Sequence, residues 1–386
     1  MAENPGQIIL NSNSICMGTK QIPFVDLRAQ YDSIKPEIDH AILSVIEDTA
    51  FIKGKYVQSF EKKFADQYGV NHCIGVANGT DAIYIILKML GIGEGDEVIT
   101  VANSWISTSE TISQTGARPV FIDADEYFTI NAALIEEKIT PKTKAIIPVH
   151  LYGQVCEMES INAICKRNNL YLVEDCAQSH FSEYKGIKAG LFGDAATFSF
   201  FPGKNLGAYG DAGCIITKNN DLALKCRMYA NHGAIIKHQH MIEGINSRLD
   251  GLQAAILSVK LKHIDSWTEQ RIGNAALYNQ YLHDIDSIEI PKVRENTKHT
   301  FHLYVIKAER RDELRKYLQD KGIACEIHYP TPLPFLPAYE YLHADENDFK
   351  VVDGNQHKLL SLPMFPELTE DEICYIANSI KEFYNR

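Results

Sequence analysis

The sequence predicts an α/β fold: a large domain on a mostly parallel sheet covered by helices, followed by a smaller α+β domain. Strand-like and helix-like apolar runs alternate between about residues 72 and 218, as repeated βαβ units do. After Leu249 the pattern becomes predominantly helical and then mixed. The chain has 386 residues, 45% of them hydrophobic, which exceeds one compact domain and supplies a large core. The expected division is a weakly ordered tail over residues 1–22, a large domain over 23–264 and a small one over 265–386.

Each element has a local reason. The polar start gives way to strand-like Ile22-Pro23-Phe24-Val25-Asp26. Ile34, Ile38, Ile42 and Ile46 recur every four residues and predict an amphipathic helix over Tyr31 to Asp48, with a second over Val57 to Tyr68. Strand Cys73 to Ala77 leads to a helix over Asp81 to Leu90, stopped at Gly91. Strand Glu97 to Val101 leads to a helix over Ser107 to Thr115. Strands follow at Val120 to Ile122, Ala145 to Val149, Tyr171 to Glu174, Ala195 to Phe200 and Gly213 to Thr217. In such a sheet ligands collect at the carboxyl ends of the strands. Gln253 to His263 and Trp267 to His283 read as helices, the latter with the charge spacing of a solvent-facing interdomain spine. The small domain is expected to hold strands around Thr300 to Ile306 and Ala324 to Ile327, helices over Arg311 to Gln319 and Glu370 to Phe383, and a Pro-rich loop from Tyr329 to Pro337.

Composition narrows the function. A formal charge of -12, spread without acidic runs, argues against nucleic acid and against anionic membrane surfaces. No apolar run approaches the roughly 18 residues of a membrane span, and Met1 to Thr19 has no secretory pattern. Nine cysteines, odd in number and without CxxC spacing, fit free thiols in a reducing compartment. The expectation is a soluble cytoplasmic protein, in which the sequon Asn78-Gly79-Thr80 has no consequence.

Lys204, in Ser199-Phe200-Phe201-Pro202-Gly203-Lys204-Asn205-Leu206-Gly207, follows one strand, and Asp175 ends another. The pair suggests pyridoxal phosphate chemistry. A lysine amine can form a Schiff base with the cofactor aldehyde, and an aspartate can hold the pyridine nitrogen protonated. Ala77-Asn78-Gly79-Thr80-Asp81 offers free N–H groups and a hydroxyl at a helix N-terminus, suited to a phosphate. Ser199 can add a second hydroxyl, Gln178 can reach a phenolic oxygen, and Trp105 can stack on a pyridine ring. Each feature also has a plainer reading: Asp175 and Thr80 as helix caps, Trp105 as core, Ser199 as an ordinary strand serine. His238 and His240 form H-x-H without a third ligand at a sensible spacing, so no metal is expected.

Six ordered motifs then converge. They are Asn78-Gly79-Thr80-Asp81-Ala82, Val149-His150-Leu151-Tyr152-Gly153-Gln154, Glu174-Asp175-Cys176-Ala177-Gln178, Gly193-Asp194-Ala195 through Gly207, Asn246-Ser247-Arg248-Leu249-Asp250 and His328-Tyr329-Pro330. From Ile22 to the C-terminus the chain resembles the DegT/DnrJ/EryC1/StrS aminotransferases. The resemblance implies a fold-type I homodimer in which Lys204 carries the cofactor, Asp175 pairs with the ring nitrogen and Gln178 approaches the cofactor hydroxyl. It implies that Gly79, Thr80 and Ser199 bind the phosphate, that Trp105 stacks on the ring, and that Asn246 reaches the partner's site. His328 and Tyr329 are implied near a sugar, with Arg248 a candidate for a substrate phosphate or carboxylate.

The implied activity is ping-pong transfer of an amino group, with L-glutamate as donor, to C3 or C4 of a nucleotide-linked keto-deoxysugar for surface polysaccharide or glycoconjugate synthesis. Alternatives are amination of a keto-inositol, another sugar-modifying reaction with the same cofactor, or a sensor or regulator that binds pyridoxal phosphate or an amino sugar without turnover. Val101, Gly203 and Cys176 depart from common family residues, but none removes a needed group. Relatives that act as dehydratases have histidine where this chain has Lys204.

Overall fold

The computed structural model describes residues 20–386. Of the expected N-terminal tail, residues 1–19 lie outside that range. Ile22, at its end, is buried and forms a parallel bridge with Ile323.

Helices α1 (Leu27–Glu47) and α2 (Lys55–Tyr68) precede the central sheet. Pro36 lies inside α1, and the helix kinks at Ile34, as a residue lacking its N–H donor requires. The sheet comprises β1 (His72–Val76), β2 (Glu97–Val101), β3 (Arg118–Ile122), β4 (Thr143–Ile147), β5 (Tyr171–Asp175), β8 (Ala195–Ser199) and β9 (Gly213–Thr217). Between them, the short strands β6 (Glu183–Tyr184) and β7 (Ile187–Lys188) join β11 (Thr297–Lys298) in a separate small sheet. The seven-stranded order is β1-β9-β8-β5-β4-β2-β3, and only β9 runs antiparallel to its neighbours.

Helices α3 (Gly79–Met89), α4 (Ser107–Thr115), α5 (Met158–Asn168) and α6 (Asn220–Tyr229) cover this sheet. Both faces are therefore apolar: β9 is buried at every position and β8 at all but its last. Helices α5 and α6 are short: α5 buries Met158, Ile161, Ile164 and Cys165 at helical spacing, and α6 buries Leu222, Ala223 and Cys226.

Helices α7 (Gly251–Lys260) and α8 (Ile264–Leu282) lead to the remaining elements: β10 (Ile288–Glu289), β12 (Tyr304–Ala308), α9 (Arg311–Asp320), α10 (Lys350–Asn355), β13 (Leu359–Leu362) and α11 (Glu370–Tyr384). Strands β10, β12 and β13 form an antiparallel sheet. Three expectations are corrected here. Ala324 to Ile327 is not a strand, and only Glu326 bridges, to Ser361. The strand expected from Thr300 begins at Tyr304, because Thr300 to His302 turn to meet Gly153 and Tyr152 of the large sheet's loops. The spine α8 is not generally solvent-facing: Trp267, Arg271, Asn274, Tyr278 and Leu282 are all buried, and the Arg271 guanidinium donates to three carbonyls.

A second core gathers Ile22, Tyr278, Tyr304, Leu314, Leu360, Ile373 and their neighbours, distinct from the two clusters on the faces of the central sheet. On one face of that sheet Phe60, Phe64, Tyr68, Phe181, Phe198 and Phe200 pack together, with edge-to-face contacts between Phe64 and Phe198, centroids 5.2 Å apart, and between Phe60 and Phe200, 5.4 Å apart. Phe200 is fully buried and its backbone pairs with Ala212 and Ala208. It thus anchors the turn that follows β8, and burial of such a ring contributes roughly 1.5–3 kcal/mol.

Candidate active site

The carboxyl ends of β1, β2, β4, β5 and β8 open on one cavity of about 370 Å³. It is lined by Gly79, Thr80, Trp105, Asp175, Gln178, Ser199, Lys204, His328 and Tyr329, together with Ser104, Ser107, Thr108, Phe201 and Asp211. A larger groove near Arg294 and Arg167 is more open, and its charges are already matched: Arg294 pairs with Asp125 and Arg167 with Glu136.

Lys204 sits in a turn that closes tightly, since a Cβ on Gly207 would meet the Pro202 carbonyl oxygen at 2.2 Å. Burial pushes the Lys204 amine down to about 8, against the opposing pull of Asp175. Asp175 is buried. Its Oδ2 accepts from Thr108 Oγ1 at 2.8 Å and its Oδ1 from the Ala177 N–H at 3.1 Å. Burial raises its pKa, and these two donors oppose the rise.

Behind β5, Glu174 accepts the N–H groups of Gly190, Phe192 and Gly193 and a bond from His150 Nε2 at 3.0 Å. Because His150 Nδ1 accepts from the Cys156 N–H, the ring carries its proton on Nε2. His150, Glu174 and Cys176 lie within 4.8 Å of one another, but a metal there would have to displace these bonds. The dyad instead locks the end of β5, where the backbone of Asp175 also bonds to Pro148 and His150.

The N-terminus of α3 faces the same cavity. Asn78 caps it, accepting from the Asp81 N–H at 2.8 Å, and Thr80 Oγ1 lies 2.7 Å from Ser107 Oγ. A Cβ on Gly79 would lie 2.8 Å from Ser199 Cβ, so only glycine lets the helix end approach that serine. Gln178 accepts from the Tyr152 N–H at 2.8 Å and donates to Tyr329 O–H at 3.1 Å. The Trp105 ring is 58% exposed and its centroid is 5.7 Å from that of Tyr329. His328 donates or accepts at Ser361 Oγ, and burial pushes it down to about 4, so it is neutral at ordinary pH.

Asn246 and Arg248 do not line this cavity. Asn246 is exposed and bridges Asn231, while Arg248 lines a separate groove with Lys53, Glu61 and Arg227. Thr108, Ser104, Ser107 and Asp211 reach the cavity without any sequence signal beyond position at a strand end or in a helix's first turn. The H-x-H histidines are exposed, and His240 Nδ1 contacts the His232 carbonyl.

These residues fit pyridoxal phosphate by their chemistry: a depressed amine for the aldehyde, a buried carboxylate for the ring nitrogen, and a helix N-terminus with hydroxyls for the phosphate. On a mostly parallel sheet with this topology they define a pyridoxal phosphate-dependent aminotransferase of fold-type I.

Comparison with known proteins narrows the class. The sequence profile of the DegT/DnrJ/EryC1/StrS aminotransferase family matches residues 32–381, and the chain belongs to that family. It is 47% identical over 366 residues to the "Pleiotropic regulatory protein" of Geobacillus stearothermophilus, covering 94% of this chain and 98% of that protein. It is 38% identical to the dTDP-3-amino-3,4,6-trideoxy-alpha-D-glucose transaminase of Streptomyces venezuelae, covering 95% of this chain and 97% of that one. The crystal structure of S. venezuelae DesV with a ketimine intermediate superposes with a TM-score of 0.93 at 38% identity, covering 95% of this chain and all of that one.

Proposed function

We propose that this aminotransferase moves an amino group from L-glutamate to the C3 keto carbon of a nucleotide-linked keto-deoxysugar. The observation that carries the reading is the convergence of Lys204, Asp175 and the α3 N-terminus on one cavity. The choice of C3 is supported by relatives named for 3-amino dTDP sugars, from Streptomyces venezuelae and Aneurinibacillus thermoaerophilus, and by relatives named for 3-dehydro or 3-oxo UDP sugars, from Acidithiobacillus ferrooxidans and Pseudomonas aeruginosa.

Bound pyridoxal phosphate supplies the aldehyde that takes up the amino group and a ring that accepts the electrons released when a carbon loses its proton. The chain's own groups do the rest. Asp175 holds the ring nitrogen's proton from a site screened from water. Lys204 would hold the cofactor at rest and, through Nζ, carry a proton to and from the reacting carbon, a task its lowered pKa suits. Gly79, Thr80 and Ser199 would hold the phosphate, Gln178 the phenolic oxygen and Trp105 one face of the ring. His328 and Tyr329 face the sugar.

The working unit in this reading is a homodimer in which Asn246 and Arg248 serve the partner's cavity. Two features support it. Among the described residues Lys204 is the cavity's only cationic side chain, whereas the substrate carries a diphosphate. Phe51, Ile52, Ile235, Ile236, Met241 and Ile242 leave large apolar side chains exposed near the Arg248 groove. Among the described residues the eight cysteines are all free thiols, in keeping with a cytoplasmic setting. Among the described residues no helix is long and apolar enough to cross a membrane.

A regulatory reading is favoured by one observation, the name of the Geobacillus relative. The test separates the two. Purified protein with pyridoxal phosphate and L-glutamate is given dTDP-linked and UDP-linked 3-keto sugars, and 2-oxoglutarate is measured. Sugar-dependent release supports the transaminase; bleaching of the visible band by glutamate without turnover on any keto-sugar or keto-inositol favours the regulator.

A further inference from the structure

Asp175 is served by a directed pair of hydroxyls. Thr108 Oγ1 lies 2.8 Å from Asp175 Oδ2, and Ser104 Oγ lies 3.0 Å from Thr108 Oγ1. All three side chains are buried. An ionised carboxylate only accepts, so the single Thr108 proton points to Asp175, and Ser104 must then donate to Thr108. The backbone holds this arrangement: Thr108 is in the first turn of α4, and Thr111 Oγ1 donates to the carbonyls of Ser107 and Thr108 at 2.8 and 3.3 Å.

We infer that Thr108, backed by Ser104, is a positioning residue that keeps Asp175 ionised and aimed into the cavity, so that the proton it shares with the cofactor stays on the ring nitrogen. The inference rests on the role given to Asp175 above. Burial drives the carboxyl toward its neutral form, and among the described residues the two side-chain oxygens receive only the Thr108 and Ala177 donors. The other titratable groups facing it are Lys204 from the turn after β8, His150 from the segment after β4, and Tyr329. Lys204 is engaged when cofactor is bound, and the His150 proton is committed to Glu174. Thr108 is therefore the side-chain donor that remains.

Threonine to valine replaces the hydroxyl by a methyl group of similar size; threonine to serine keeps it. In T108V holoenzyme the dissociation constant for pyridoxal phosphate should rise roughly tenfold, as loss of a bond to a charged group implies. The visible band should titrate about half a unit to one unit higher in pH, because a proton held less firmly at the ring nitrogen draws less charge from the Lys204 nitrogen. T108S should restore both values, which a purely structural role would not require. Wild-type affinity and midpoint in T108V, or a T108S as defective as T108V, would overturn the inference. Asp175→Asn is the reference: if it too leaves both values unchanged, the role of Asp175 fails instead. Should T108V not fold, Ser104→Ala must shift the midpoint in the same direction by a smaller amount, and no shift counts against the hydroxyl pair.

Discussion

Lys204 shows how an environment selects a residue's chemistry. An ordinary lysine holds its proton until pH is well above 10, whereas burial brings this one to about 8. The neutral, nucleophilic form therefore grows as pH rises through 8. Capture of pyridoxal phosphate by the cofactor-free protein should accelerate with a midpoint near pH 8 in stopped-flow absorbance; a midpoint near that of free lysine would count against the buried amine. Lys204→Ala should abolish turnover with unchanged far-UV circular dichroism, and substantial retained activity would refute its role.

At the scale of elements, the phosphate end of the site depends on close contact between segments far apart in sequence. Gly213, in β9, does not line the cavity, yet a Cβ there would lie 2.5 Å from the Asn78 carbonyl carbon. Gly213→Ala must push Asn78 and the start of α3 away from Ser199. Its expected cost is about 1–3 kcal/mol of stability, as for other overpacking, with weaker binding of pyridoxal phosphate in fluorescence titration. Wild-type affinity would mean that the α3 N-terminus does not hold the phosphate. Phe200→Ala tests the opposite side of the same turn. Its ring packs on Phe60 and Phe64, so thermal or denaturant unfolding should show a loss of about 3–5 kcal/mol.

For the whole molecule the question is whether one chain completes a site. If Asn246 serves the partner's cavity, co-expressed Lys204→Ala and Asn246→Ala chains will form mixed dimers with one site intact. Random pairing of a two-fold dimer then returns about a quarter of wild-type activity, although each variant alone is inactive or nearly so. No recovery above the sum of the separate variants would show that Asn246 does not act in the partner's site.

The alternation of β2 with α4, the helix stop at Gly91 and the lysine after β8 are written in local pattern, because strand and helix periods and turn residues act over a few neighbours. Lys204, Asp175 and the Gly79-Thr80 turn were legible for the same reason: each stands at a strand end, where a parallel sheet gathers its ligands. Local pattern does not reveal what depends on contact across the fold. The buried face of α8, the turn of Thr300 to His302 toward Gly153, and the single bridge at Glu326 follow from packing between segments far apart in the chain. So does Thr108, an unremarkable hydroxyl in a helix's first turn until α4 docks beside the end of β5 and sets it 2.8 Å from Asp175. Sequence set which candidate groups stand at the strand ends; tertiary structure brought them to one cavity and set their burial and partners, because burial and hydrogen bonding arise only when distant segments meet.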